Sequence, residues 1–231
     1  MFQGKKKAVT FSYDDGVTQD KRLIELFNRF HLKATFNLNS ECLGQKNELV
    51  REGKKVNHTK NPASEVADIY RGHEVAVHTL THPNLTQLEE KEIIRQVEED
   101  RKNLEALVGY PVIGMAYPCG GVNNDARVAS IIKNHTRIQY ARTITSSHSF
   151  DLQENLYQFK PTVYHHEEWD KMFALLDEFL ALKPDRPQLF YIWGHSYEFD
   201  IADTWGRMEE FCRRISRKDD IFYGTNRDVL L

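Results

Sequence analysis

Two adjacent carboxylates, Asp14 and Asp15, end the apolar run Ala8-Val9-Thr10-Phe11-Ser12-Tyr13 and are followed at once by Gly16, while His78-Thr79-Leu80-Thr81-His82 sets two imidazoles four residues apart. Neighbouring carboxylates repel, and the end of a buried strand adds desolvation, so the pair needs a compensating cation. A regular strand would point the two side chains to opposite faces. Gly16 permits a turn or bulge that brings both to one rim. The plainer reading of Asp-Asp-Gly is a loop in which one Asp caps a helix starting near Gln19. The histidine spacing suits a shared metal on a helix or a strand-to-loop turn, and a hydrogen-bonded structural pair would have the same spacing. Glu74-Val75-Ala76-Val77 before the histidines reads as a strand, and Pro83 biases His82 away from the helical region, which favours the turn. The helical zinc-protease pattern would need Glu where Thr79 stands. The acidic pair and the histidine pair together point to a site for one divalent metal ion. Zinc is the first expectation, with cobalt, nickel or iron also compatible with imidazole and carboxylate donors.

The elements that must position these residues alternate between strand and helix. Strands are expected at 8–13, 33–38, 74–77, 113–117, 140–145, 160–164, 189–193 and 221–223. Between them, helical periodicity runs over 21–30, 88–108, 125–133, 169–182 and 204–215, with Leu23, Ile24, Leu26 and Phe27 inward on the first. The polar stretch from Cys42 to Tyr70 has no readable pattern beyond a possible helix after Pro62. Repeated β-α units imply a mainly parallel sheet, open or closed into a barrel. Asp14-Asp15, His78-His82, Pro118-Cys119-Gly120 and His195 all fall at or just past strand C-termini, the face that carries active sites in such barrels.

Length and composition set bounds on this. The 231 residues are 40% hydrophobic and show no linker, repeat or low-complexity tract, so a single domain over 1–231 is expected. A formal net charge of -3 gives no polyanion-binding surface, and Lys5-Lys6-Lys7 reads as a solvated terminus; no nucleic-acid partner is expected. Cys42, Cys119 and Cys212 are odd in number and far apart, giving neither a disulfide framework nor a zinc ribbon. The N-terminus has no apolar signal segment and the chain no long apolar span, so the expectation is a cytoplasmic protein without a membrane partner, although an exported form trimmed of its signal would look the same.

These residues, in this order, resemble the polysaccharide deacetylase family, also called carbohydrate esterase family 4 or the NodB-homology fold. Phe11-Ser12-Tyr13-Asp14-Asp15-Gly16 resembles its first motif, and His78-Thr79-Leu80-Thr81-His82, with Gly72-His73-Glu74 before it and Pro83-Asn84-Leu85-Thr86 after it, its second. Ala116-Tyr117-Pro118-Cys119-Gly120 is similar to the third motif, a groove wall, and Ile192-Trp193-Gly194-His195 stands where the family carries a late catalytic histidine. The resemblance implies a distorted (β/α) barrel of the α/β class. It also implies Asp14 as catalytic base, Asp15, His78 and His82 as metal ligands, and His195 as the acid that protonates the leaving amine. The backbone N–H of Cys119 would stabilise the oxyanion, and Tyr117, Pro118, Cys119 and Trp193 would contact substrate. The implied reaction is metal-dependent removal of acetyl groups from N-acetylated amino sugars of chitin- or peptidoglycan-like saccharides. An O-acetyl esterase acting on xylan and a carbohydrate-binding pseudoenzyme are the alternatives.

Three positions depart from the family pattern. Ala116 stands where many members have an Arg that pairs with the base, Cys119 replaces a frequent aromatic, and Trp193-Gly194 replaces the usual Leu before the last histidine. The acid that should orient His195 has three nearby candidates, Glu198, Asp200 and Asp203. Tyr197 and Trp205 join Tyr117 and Trp193 as aromatics able to stack on a sugar or pack in the core. His165-His166-Glu167-Glu168 reads as the acidic start of the helix at Trp169 rather than a metal cluster, because adjacent residues diverge in most backbones.

Overall fold

The computed structural model describes residues 2–231. The chain runs β1 (Lys7–Asp14), α1 (Asp20–Arg29), β2 (Ala34–Leu38), then a hairpin of β3 (Glu48–Arg51) and β4 (Lys54–Asn57) and a single turn α2 (Val66–Ile69). It continues through β5 (Glu74–Val77), α3 (Glu90–Val108), β6 (Gly114–Ala116), α4 (Ala126–His135) and β7 (Tyr140–Arg142). The last third holds β8 (Val163–Tyr164), α5 (Trp169–Ala181), β9 (Gln188–His195), α6 (Glu198–Ala202), α7 (Trp205–Ile215), β10 (Ile221–Tyr223) and α8 (Asn226–Leu230).

The main sheet has the order β7-β6-β5-β2-β1-β9-β8, and every pairing in it is parallel. Beside the first half of β1, β10 takes the place that β2 occupies beside the second half, with Lys7 opposite Ile221 and Phe11 opposite Ala34. The sheet curls until one short segment touches both of its edges. The Phe159 N–H donates to Ala141 O of β7 at 3.0 Å, and four residues later β8 pairs with β9. The expected strand at 160–164 is thus reduced to two residues, because the preceding chain spends its length crossing the seam. This is the distorted, incompletely closed (β/α) barrel that the sequence led us to expect.

Helices pack outside the curled sheet as their periodicity dictates. Leu23, Ile24, Leu26 and Phe27 of α1 are buried, each contributing about 1.5–3 kcal/mol of transfer free energy. One terminal expectation fails. Lys7 is buried, and its amine donates to the C-terminal carbonyls of α5 at Phe179 (3.1 Å), Leu180 (3.3 Å) and Leu182 (3.2 Å) while pairing with Asp220 at 2.8 Å. A cation there satisfies orphan carbonyls at the negative end of a helix, which outweighs leaving it in water. Within the polar stretch, residues 48–57 form the hairpin, which the sequence did not reveal. No helix among the described residues is long and apolar enough to cross a membrane.

Candidate active site

The site is built at the C-terminal ends of the parallel strands, where adjacent strands place Asp14 directly opposite His195. Asp14 is the last residue of β1, and the chain then turns through two left-handed residues, Asp15 (φ 83°) and Gly16 (φ 64°). That turn brings both carboxylates to one cavity, as the Gly16 signal implied. Neither Asp caps α1, whose N-cap residue Gln19 makes no side-chain capping bond. Thr79 (φ 70°), His82 (φ 63°) and Cys119 (φ 70°) are also left-handed, so backbone strain gathers on this rim, a pattern typical of functional sites.

Asp14 is buried, with Arg142 Nη2 donating to Oδ1 at 2.6 Å and also to Oδ2, and Asn37 Nδ2 donating to Oδ1 at 2.7 Å. Burial pushes the Asp14 carboxyl pKa up, but Arg142, with His78 and His195, outweighs it and holds the group below the ordinary value. Arg142 therefore occupies the gap left by Ala116. Its position on β7 is the register partner of Ala116 on β6, and its guanidinium lies 4.4 Å from the Trp193 ring centroid. Arg142 was not singled out in the sequence, because only the register of β6 and β7 places it beside Asp14.

Asp15, His78 and His82 each offer one donor atom, all within 4.8 Å of one another. His78 Nδ1 lies 2.9 Å from Ala116 O. A carbonyl only accepts, so Nδ1 carries the proton and Nε2 keeps its lone pair for a cation. Burial also lowers the His78 pKa to about 4, despite Asp14, and keeps the ring neutral, the form that ligates metals. His82 Nε2 is 3.7 Å from Asp15 Oδ1. The donor set thus fits a divalent ion. Two cationic or donor groups from after the hairpin also reach Asp15, Lys60 Nζ at 3.2 Å from Oδ1 and His58 Nε2 at 3.1 Å from Oδ2. Neither was singled out in the sequence, since both lie in the unreadable stretch. Although burial opposes it, Lys60 and His58 drive the Asp15 pKa well below the ordinary value.

His195 finds its acid in Glu198, one of the three candidates. Its Nδ1 is 3.0 Å from Glu198 Oε1, and its backbone N–H donates to Oε2 at 2.9 Å. Burial opposes protonation of His195, but Glu198 overrides it and raises the pKa to about 9. Asp200 instead accepts from Gln19 and Trp205, and Asp203 ends α6 in a left-handed conformation.

A cavity of about 610 Å³ joins these groups, lined also by Tyr117, Cys119, Trp193, Tyr164 and Tyr197; Pro118 and Trp205 do not line it. Gly194 has a steric reason, because a Cβ there would lie 2.0 Å from His165 Nδ1. His165 stacks on Phe199 at 4.5 Å, and its Nε2 lies 3.6 Å from Glu198. Together with His166 it makes a second group of possible donors around Glu198. The two adjacent imidazoles thus come together at one donor atom each, against the expectation that they diverge, while His166 Nε2 lies 2.6 Å from Glu52.

The family model for polysaccharide deacetylases matches residues 3–137. The chain belongs to the polysaccharide deacetylase family. Arg142, His195 and Glu198 lie beyond the matched stretch. The peptidoglycan-N-acetylmuramic acid deacetylase PdaC of Bacillus subtilis (strain 168) is 24% identical over 124 residues, 53% of this chain, which spans only 23% of that relative's length. Among solved structures, the Xyl-CE4 domain of a multidomain xylanase from the hindgut metagenome of Trinervitermes trinervoides aligns with TM-score 0.57 at 15% identity, over 97% of this chain and 89% of its own. A CE4 family pseudoenzyme from Bacillus anthracis aligns with TM-score 0.56 at 19% identity, over 98% and 66%. At these identities, the structural likeness establishes the fold alone.

Proposed function

We propose that this chain is a metal-dependent hydrolase that removes acetyl groups from N-acetylated amino sugars, with Asp14 as base, His195 as acid and Asp15, His78 and His82 as the metal ligands. The observation that carries this reading is the pair Asp14 and His195. They sit opposite each other on β1 and β9, with Arg142 favouring the ionised form of one and Glu198 the protonated form of the other. Two titratable groups driven apart across one cavity are the signature of an assigned base and acid.

A divalent ion held by Asp15, His78 and His82, zinc by first expectation, would supply Lewis acidity toward a water and toward the acetyl carbonyl. Asp14 accepts the proton of the attacking water, with Arg142 and Asn37 fixing its carboxylate. The N–H of Cys119, by family resemblance, donates to the developing oxyanion. His195 keeps Nδ1–H on Glu198 and gives its Nε2 proton to the amine as the C–N bond breaks, since an amide anion is a poor leaving group. Tyr117, Cys119 and Trp193 are the proposed substrate contacts. Arg142 supplies the charge that Ala116 lacks beside Asp14, which favours turnover over the pseudoenzyme alternative.

The test is acetate release from chito-oligosaccharides and from acetylated xylan, each with and without a chelator. Chelator-sensitive release from the chito-oligosaccharides is expected. Release from xylan alone would reassign the chain to O-acetyl esters, chelator-insensitive turnover would refute the metal mechanism, and metal binding without release from either would make it a binding module.

A further inference from the structure

The hairpin β3–β4 belongs to no layer of the barrel. Its two-residue turn, Glu52–Gly53, has positive φ at both positions (52° and 72°), the twist that suits a tight hairpin. At its base, His58 and Lys60 hold Asp15. At its tip, Arg51 Nη1 donates to the Tyr197 hydroxyl at 3.1 Å and lies 3.3 Å from the fully buried Glu198 carboxylate, and Glu52 holds His166 at 2.6 Å. Lys54 Nζ donates to Ile201 O at 2.6 Å. The hairpin therefore starts beside the end of β1 and runs over the ends of β9 and β8, roofing the side of the cavity that holds His195. Leu49 and Arg51 line the cavity while Val50 between them is exposed. The rim at Gly120 and Gly121, which also line the cavity, is open, for both are exposed and a Cβ built on either meets nothing within 4 Å.

A saccharide chain continuing past the roofed side would have to displace Arg51 from the Tyr197 hydroxyl and from Glu198, leaving His195 as the main charge partner of that buried carboxylate, which is unfavourable. A volume of about 610 Å³ is that of a pocket for one compact ligand. We infer that the hairpin turns the deacetylase cleft into a blind pocket that takes the terminal residue of an N-acetylated oligosaccharide, not the internal residues of a polymer. This rests on the deacetylase reading for its chemistry but on the hairpin for its shape.

Two measurements separate the two. Zinc-loaded protein is given the N-acetylglucosamine tetramer and glycol chitin, and the deacetylated position is read by mass spectrometry. Acetate should leave a terminal unit only, with the polymer at least about tenfold slower. Since Glu48 faces Asn57 across the ladder, replacing residues 49–56 by Asn-Gly shortens the hairpin without opening its base, and this variant should gain internal positions. Internal and terminal release at similar rates in the unaltered protein would overturn the inference. Independently of turnover, Asp14→Asn protein should bind the dimer, tetramer and hexamer of N-acetylglucosamine within about threefold of one another by calorimetry. Affinity climbing more than about tenfold from dimer to hexamer, or no binding of any oligomer, would also overturn it. Length-independent binding with no acetate release would leave the pocket standing and remove the deacetylase reading.

Discussion

Arg142 reaches Asp14 from the strand position paired with Ala116, so the cation expected on β6 is supplied one strand over, from β7. The two strands lie side by side in parallel register, and a long guanidinium spans the difference. Both members are buried, so each depends on the other for charge compensation.

Arg142→Met should therefore lower kcat by about a hundredfold or more, the range of general-base contributions, and lower stability by about 3–5 kcal/mol. Steady-state kinetics and denaturant unfolding read the two effects. Returning the charge as Ala116→Arg in the Arg142→Ala background should recover part of both. Unchanged kcat in Arg142→Met would mean that Asp14 is held by Asn37 alone or is not the base.

The three proposed metal ligands and the proposed base should separate cleanly by metal analysis. His82→Ala and Asp15→Ala should lose bound metal, whereas Asp14→Asn should keep it and lose turnover. Equal metal loss in Asp14→Asn and Asp15→Ala would merge the roles assigned to the two carboxylates.

Activity should fall as pH rises through about 9, because His195 must be protonated and Glu198 raises its pKa to about 9 against the pull of burial. Glu198→Gln removes the largest support and leaves burial opposed only by Asp15 and Asp14, so the alkaline limb should move to lower pH. The same shift has a sign for stability. The raised pKa means that the folded state binds the proton more tightly, so His195 contributes fully below 6.5 and the contribution is lost as pH rises through about 9. An alkaline limb unmoved in Glu198→Gln would show that the acid is another group.

Lys60 Nζ lies 3.2 Å from Oδ1 of Asp15, one of the three proposed metal ligands. Two cations on one carboxylate repel, so Lys60→Met should tighten zinc binding, by about tenfold for about 1.4 kcal/mol, in competition with a chromophoric chelator. Weaker binding would instead show that the ammonium positions Asp15 for the ion.

Gly194→Ala should cost about 1–3 kcal/mol by forcing the His165 ring off β9, measured by denaturant unfolding. His165→Ala in the same chain should restore much of the loss. An additive double mutant would contradict the steric account.

Much of this site was legible because its signals are local. Asp14-Asp15-Gly16 carries its own turn, and His78 with His82 is placed by the strand before and the proline after. Leu23 to Phe27 gave the inward face of α1 for the same reason. What stayed hidden depends on neighbours in space. Arg142 is 128 positions from Asp14 and is recognisable only through the sheet register. Gly194 makes sense only beside the ring of His165. The hairpin was unreadable because Glu48–Arg51 and Lys54–Asn57 are mostly polar and largely exposed, leaving little hydrophobic alternation to detect. Lys7 looked like a solvated charge because its partners are carbonyls of α5, about which side-chain pattern says nothing.

The central claim is that one divalent ion at Asp15, His78 and His82 works with Asp14 and His195 to release acetate. Metal-free protein titrated with zinc, with acetate release from the N-acetylglucosamine tetramer followed at each addition, tests it most directly. The account predicts no release without metal and a rise that saturates at one zinc per chain. Release from metal-free protein, or none at any zinc level with the ion bound, would contradict it.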